Sequence, residues 1–162
     1  MRVSMKLIIG CLIAFAIMSF AAHAQTASGK QAFYNALASN SAAVWNKQLE
    51  AVNMLSGNDK SAFQGALLMR KSGSQNTPGQ KLSMFKQGYK LLEAAIGQEA
   101  KNAEYRFLRL MIQENAPKIV GYNKNITDDA KLVKASLKSL PEVVQKAVIS
   151  YSKTSKALKG LQ

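Results

Sequence analysis

The stretch TPGQKLSMFKQGYKLLEAAI occupies residues 77–96 and decides the fold class. Thr77 is a typical N-cap residue, Pro78 follows at the first helical position, and Gln80 completes a capping box. Apolar side chains then recur at i, i+3, i+7, i+10 and i+14, which is one face of an amphipathic α-helix: Leu82, Phe85, Tyr89, Leu92 and Ile96. The stretch therefore predicts a long helix that packs along one side.

Helical periodicity extends along the rest of the chain, and no segment has the convincing alternation of a half-buried strand. We therefore predict an all-α protein of about seven helices. Ser56-Gly57-Asn58 is expected to end the second helix, and the third is expected to begin near Lys60. Further helix starts are expected at four capping signals: Ser28 with Gln31, Asn102, Thr127, and Ser139 with Glu142.

Short helices joined by short connections favour stacked antiparallel hairpins. Residues 88–96 (GYKLLEAAI), followed by NAEY at 102–105, resemble the junction between consecutive helices of a tetratricopeptide repeat. The usual turn proline is missing between Ile96 and Asn102, and no second copy occurs at the roughly 34-residue period. The resemblance implies repeat-like, tetratricopeptide-like helical hairpins and not a regular array.

The N-terminus has the three parts of a secretory signal peptide. Arg2 and Lys6 supply positive charge, residues 7–20 are apolar, and Ala22-His23-Ala24 is a small-residue cleavage site. An uncleaved anchor is the alternative, although the apolar stretch is short of the about 20 residues that a span needs. We predict cleavage after Ala24 and a periplasmic or secreted protein. One helical domain is expected over 25–151, followed by a basic, frayed tail over 152–162.

Cleavage would remove the only cysteine, Cys11, and the only histidine, His23. The remaining chain would have no thiol nucleophile, no imidazole base and no thiolate or imidazole metal ligand. We expect no cofactor, no metal and no catalytic residues. A hydrolase acting through carboxylates is an unfavoured alternative. Asp128 and Asp129 are adjacent on a helix and do not face each other, and the helix dipole explains both.

Positive charge is a further signal. The chain has 22 basic and 9 acidic residues, and loss of Arg2 and Lys6 would leave a net charge of +11. Such an excess favours anionic partners through long-range attraction. Nucleic acid is a disfavoured partner, because the aromatic residues lie on predicted core stripes and export is expected. A solvated lysine-rich face is the alternative. Residues 60–92 contain no acid and six basic residues: Lys60, Arg70, Lys71, Lys81, Lys86 and Lys90.

A second resemblance covers roughly residues 85–151. Its most specific parts are YRFLR at 105–109 and GYNKNI at 121–126, with Gln113, Asn115 and Pro117 between them and Asp129 after them. This part resembles an uncharacterised family of small exported helical proteins of Bacteroidota-type bacteria. The resemblance implies an exported helical protein of an envelope-bearing bacterium, and it brings no known activity or catalytic residue.

One helix face is the candidate binding site. Arginines and a glutamine at i, i+3 and i+7 share a face of the fifth helix, and the loop 121–125 is expected to return close to it. Paired arginines bind carboxylate or phosphate through bidentate hydrogen bonds. Alternatively, the arginines hold the loop or pair with Asp128 and Asp129. The candidate binding residues are Arg106, Arg109, Gln113, Tyr122, Asn123 and Asn125.

Together these features predict a non-enzymatic, exported interaction module that binds a protein or an anionic component of the cell envelope. A groove between helices would supply shape, and Lys and Arg would attract the partner. A structural or stress-related envelope protein without a discrete ligand is the alternative. The ligand and the oligomeric state stay open at this point.

Overall fold

The computed structural model describes residues 27–161. Over this range the chain forms seven α-helices and no strand, which confirms the predicted all-α class. The predicted signal peptide, with Cys11 and His23, lies outside the described residues. Two short 3-10 helices, Lys118–Val120 and Leu137–Ser139, flank the sixth α-helix. The α-helices are α1 (27–38), α2 (Ala42–Asn53), α3 (Gly57–Ser72), α4 (Pro78–Gln98), α5 (Ala103–Asn115), α6 (Ile126–Ser136) and α7 (Glu142–Ser152).

Consecutive helices from α2 to α6 pack against one another. The most extensive pairing joins α3 to α4, and the next joins α5 to α6. Helix α3 also contacts α2 and α5, so it is the central element of this arrangement. These contacts are consistent with the predicted hairpin packing. The likeness to tetratricopeptide repeats stays a prediction.

Two glycines set the distance between α3 and α4. A Cβ atom on Gly65 would lie 2.7 Å from the carbonyl oxygen of Gly88, and a Cβ atom on Gly88 would lie 2.5 Å from the carbonyl oxygen of Gly65. Only glycine permits so close an approach of two backbones. Met69, one turn after Gly65, lies against the same side of Gly88. The two helices therefore cross at backbone contact.

Aromatic side chains fix α1 to the rest of the domain. The ring centroid of Phe33 lies 4.6 Å from that of Phe63 on α3, and the ring of Tyr34 lies 5.8 Å from that of Phe107 on α5. The Tyr34 hydroxyl donates a 2.9 Å hydrogen bond to Glu104 on α5. The apolar faces of α1, α3 and α5 thus meet in one core, and the polar end of Tyr34 is satisfied inside it.

The start of α4 has the predicted capping box. The Thr77 hydroxyl accepts from the backbone N–H of Gln80, the Gln80 side chain accepts from the N–H of Thr77, and Pro78 is the first helical residue. Asn102 caps the start of α5, because its side-chain oxygen accepts from the backbone N–H groups of Glu104 and Tyr105. Both predicted helix starts are confirmed.

The capping box predicted for α7 is wrong. Helix α7 begins at Glu142, with Pro141 before it and no side-chain cap. Ser139 lies in the preceding 3-10 turn, and its hydroxyl donates to the carbonyl oxygen of Ser136 at 2.8 Å. Serine side chains compete for nearby backbone groups in this way, and here the nearer carbonyl is the partner.

Other helix starts also differ from the prediction. Helix α1 already includes residue 27, so Ser28 lies inside it and does not cap it. Helix α6 begins at Ile126, which makes Thr127 a helical residue and not a cap. Helix α3 begins at Gly57, before the predicted start at Lys60, and Gly57 has a φ of 60°. The glycine expected to end α2 therefore turns the chain directly into α3.

The segment after α7 is packed, in contrast to the predicted frayed tail. Leu158 is 0% exposed. The Glu114 carboxylate of α5 accepts from the Ser155 hydroxyl at 2.6 Å and from the backbone N–H groups of Lys156 and Ala157, both at 3.0 Å. The Glu114 carboxylate thus holds residues 155–157, which lie outside any helix, against α5. The packed domain continues beyond residue 151 to the last described residues.

Candidate functional site

Arg109 lies at the centre of the candidate site and is 3% exposed. Its guanidinium donates to both carboxylate oxygens of Asp129, at 2.7 and 2.8 Å, and to Glu93 of α4 at 2.9 Å. Burial lowers the pKa of Arg109, but the hydrogen bonds and negative charges of Asp129 and Glu93 outweigh burial and hold that pKa above its ordinary value. The arginine therefore joins α4, α5 and α6 as a permanent cation.

Arg106 reaches the same carboxylate from one turn earlier on α5. It donates to Asp129 at 2.8 Å and to the carbonyl oxygen of Ala100 at 3.0 Å. Asp129 is 0% exposed, so its negative charge is compensated entirely by the two arginines. Asp128 is exposed. Of the two aspartates considered as partners, Asp129 is the one that the arginines contact.

The loop 121–125 returns to α5 and α4 through its side chains. Gln113 donates to the Asn125 side chain at 3.2 Å and accepts from the Asn125 backbone N–H at 3.3 Å. The Tyr122 hydroxyl donates to Glu93, and the Tyr122 ring packs edge-on against Tyr89. Burial, followed by the contact with Glu93, raises the pKa of Tyr122 well above its usual range. The loop is thus braced against both helices.

Five of the six candidate residues are hydrogen-bonded within the chain, and the sixth is exposed. Arg106, Arg109, Gln113, Tyr122 and Asn125 are engaged by groups of the chain itself, which corresponds to the structural alternative raised by the sequence. Asn123 is exposed at the tip of the loop. Charged groups in such networks brace a fold, and whether Arg106 and Arg109 also bind a ligand stays a prediction.

Two acidic residues in these networks were not singled out from the sequence. Glu93 joins Arg109 to Tyr122, and Glu114 holds the segment after α7. Glu93 lies beside the apolar stripe of α4, four residues after Tyr89. That position in the sequence could have indicated a half-buried carboxylate. Glu114 has no such signal, because its partners are mostly backbone N–H groups of a distant segment.

A groove with a volume of about 760 Å³ lies next to the loop 121–125. It forms where the last turns of α1, α3 and α5 meet the first two turns of α4, with the 3-10 turn Lys118–Val120 at its edge. Leu82 and Ile119 are 46% and 95% exposed among its lining residues. Its apolar walls include Leu37, Met69, Phe85, Met111, Ile112 and Tyr151.

The charged groups that line this groove are both cationic. Arg70 donates only to neutral oxygens: the Leu37 carbonyl at 3.0 Å, the Ser39 carbonyl at 3.3 Å and the Asn40 side chain at 2.7 Å. Lys81 is exposed. Within residues 27–161, the ion pairs include neither of these two cations, and no carboxylate lines the groove. The groove is therefore apolar and electropositive.

A smaller cavity of about 330 Å³ adjoins the groove. The two share Leu82, Phe85 and Val120, so these residues form the wall between them. Three of the candidate residues from the sequence line this cavity: Tyr122, Asn123 and Asn125. The loop that the sequence indicated thus borders the groove, although the groove itself was not among the predicted sites.

Comparison with known proteins gives no assignment: no family model matches this chain, and neither a characterised protein nor a solved structure matches it significantly. The resemblance to exported Bacteroidota-type proteins therefore stays a prediction. Over residues 27–161, no helix combines the length and hydropathy needed to cross a bilayer. The same range contains no group of three or more His, Cys, Asp or Glu side chains arranged to hold a metal ion.

Proposed function

We propose that this protein is an exported, non-enzymatic interaction module that binds a protein or an anionic component of the cell envelope through the groove. The groove carries the proposal, because it combines a concave apolar wall with cations that lack a carboxylate partner among the described residues. Concave, mostly apolar sites with a few polar groups are the usual form of binding sites.

The sequence supports the remaining parts of the proposal. The positive start, short apolar core and small-residue site at 22–24 favour export. The net positive charge favours an anionic partner. Of the carboxylates in the candidate site, Asp129 and Glu93 are engaged by arginine, which disfavours a role as a general acid or base.

Two charge substitutions at similarly exposed leucines test the proposal. Leu82→Glu places a negative charge on the groove wall, and Leu55→Glu places one at the α2–α3 turn, away from the groove; these side chains are 46% and 40% exposed. The immobilised protein and both variants would be incubated with an envelope extract and washed at low and high salt. We expect a component that wild type and Leu55→Glu retain and Leu82→Glu loses.

Two results would contradict the proposal. Equal retention by all three proteins would place binding on the general cationic surface and not in the groove. Retention of no component at either salt concentration would favour the structural envelope protein without a discrete ligand.

A further inference from the structure

Building on the proposed binding role of the groove, we infer that its ligand is a small anionic amphiphile with one apolar chain, such as a long-chain carboxylate. The groove has an apolar wall that can contact a chain, and it has cations for one head group. Each of these two properties follows from separate residues.

The volume and walls of the groove fit a small apolar body. Its volume of about 760 Å³ lies within the range of about 300–1,000 Å³ that small-molecule sites occupy. Phe85 and Ile112 are 9% and 6% exposed, so the wall behind a bound chain would be the domain core itself. Leu82 and Ile119 at the groove are much more exposed, and a bound chain would cover part of that apolar surface.

The head group would meet a cation that is already held in position. Three neutral oxygens fix the Nε and Nη2 atoms of Arg70, while Nη1 makes no hydrogen bond with any group between residues 27 and 161. The half-buried guanidinium lies 5.6 Å from the centroid of the Trp45 ring, keeps one donor without a hydrogen bond in this range, and has no carboxylate partner there. Lys81 adds a second cation on the same groove. Charge-assisted hydrogen bonds to an anionic head are stronger than those to a neutral one.

The charge pattern separates this ligand from a neutral lipid. Residues 60–92, which include every residue of α3 and α4 that lines the groove, contain six basic residues and no acidic one. A neutral chain would gain only the apolar contact, whereas an anionic amphiphile gains apolar contact and charge compensation together. Recognition of the head group should therefore decide affinity between ligands of equal chain length.

The test uses a dansyl-labelled undecanoate as a fluorescent probe of the purified protein. Palmitate, hexadecanol and acetate would compete for the probe, so that chain with charge, chain alone and charge alone are compared. We expect palmitate to displace the probe, hexadecanol to be at least about tenfold weaker, and acetate to have no effect. Anionic phospholipid vesicles and an acidic amphipathic peptide form two further arms.

Variants locate the binding in the groove. Lys81→Gln should weaken palmitate binding by about three- to fivefold, as expected for an exposed ion pair. Leu82→Glu should weaken it by tenfold or more through like-charge repulsion. Lys131→Gln, on an exposed lysine of α6 outside the groove, and Leu55→Glu should leave binding unchanged. Circular dichroism and thermal melting would establish that each variant is folded.

Three results would overturn the inference: no displacement by palmitate, equal displacement by palmitate and hexadecanol, or equal binding to wild type and Leu82→Glu. Displacement by vesicles or by the acidic peptide alone would also overturn it and assign the groove to a membrane surface or a protein. If these tests fail while the Leu82-dependent envelope component is still retained, the binding role stands and the ligand class is wrong. Failure of both experiments removes the proposed function as well.

Discussion

A single residue, Asp129, compensates two arginines and is itself fully buried. Its carboxylate accepts from Arg106 and from the Nε and Nη2 atoms of Arg109. A charge in this position is stable only while its partners remain, because desolvation of an unpaired ion costs several kcal/mol. Asp129 therefore adds a polar attachment of α6 to α5 beside the apolar packing of Ala130 and Val133.

We predict that Asp129→Asn lowers the free energy of unfolding by about 3–5 kcal/mol, because it leaves the buried Arg109 with too little negative charge. Urea unfolding followed by circular dichroism measures the change. Asp128→Asn is the matched control: Asp128 is adjacent and exposed, and its loss should cost less than about 1 kcal/mol from the helix dipole. Similar losses in the two variants would contradict the role assigned to Asp129.

Buried tyrosines, among them Tyr34 and Tyr122, make the stability of the protein depend on pH in the alkaline range. Burial raises the pKa of Tyr34 and of Tyr122, and the neighbouring Glu104 and Glu93 raise it further. The unfolded chain loses these phenol protons near pH 10, whereas the folded chain retains them. Their contribution to stability is therefore present below about pH 10 and is lost as the pH rises above it.

We predict that the free energy of unfolding falls above pH 10 by up to about 1.4 kcal/mol per pH unit for each of these tyrosines. Tyr122→Phe removes one titrating group, so its slope between about pH 9 and about pH 11 should be shallower than that of wild type. Tyr89→Phe, at a side chain that is 42% exposed, serves as the control. Identical slopes in all three proteins would show that Tyr122 does not contribute to the alkaline loss.

At the scale of the element, the close packing of α3 on α4 depends on the absence of a Cβ atom at Gly65 and Gly88. We predict that Gly88→Ala destabilises the protein by about 1–3 kcal/mol, because its Cβ would meet the Gly65 carbonyl oxygen and the Met69 backbone. Gly97→Ala is the control in the same helix: nothing lies within 4 Å of its added Cβ, so helix propensity should stabilise the protein by about 0.5–1 kcal/mol. Thermal melting of both variants tests the pair, and destabilisation by both would point to helix-wide effects.

Local signals in the sequence were sufficient for much of the helical framework. The capping box of Thr77 with Gln80 and the Asn102 cap involve residues within one turn, so their spacing alone predicts them. The contact of Gly65 with Gly88 and the hold of Glu114 on Ser155 join residues that are distant in sequence. Periodicity carries no information about such pairs, because many partners are equally compatible with it.

The candidate site was predicted in part for the same reason. The shared face of Arg106 and Arg109 follows from helical spacing, and Asp129 was a named alternative partner. A groove between helices was predicted, but its location and lining could not be, because its walls come from helix ends whose meeting point depends on the whole packing. The sequence did indicate the positive charge over residues 60–92 that two groove residues, Arg70 and Lys81, share.

At the scale of the whole molecule, four of the nine acidic residues are buried or half-buried, whereas most of the described cations are exposed. Described ion pairs include only four basic residues, Lys30, Arg106, Arg109 and Lys146, out of the many that the chain carries. Buried and half-buried carboxylates such as Glu104, Glu93 and Asp129 compensate part of that charge. The exposed surface is left more positive than the composition alone suggests.

We predict that added salt stabilises this protein. Screening of repulsion between exposed lysines should outweigh screening of the buried ion pairs, since salt reaches buried pairs much less. The Tm should rise by about 3–5 °C between low and physiological ionic strength, which corresponds to about 1 kcal/mol. Sodium and potassium chloride should act equally. A Tm that falls as salt is added would mean that surface ion pairs, and not repulsion, dominate.

The glycine crossing has a consequence for ligand choice. Met69 packs on Gly88 and also lines the groove, and Phe85 lies in the groove three residues before Gly88 on the same helix. Any side chain added at the crossing would push α3 and α4 apart and widen the groove without altering its lining. The width of the groove, and with it the thickness of the ligand that fits, thus depends on the distance between the backbones of α3 and α4. A substitution at residue 88 would therefore select for a bulkier ligand while every side chain that lines the groove stays the same.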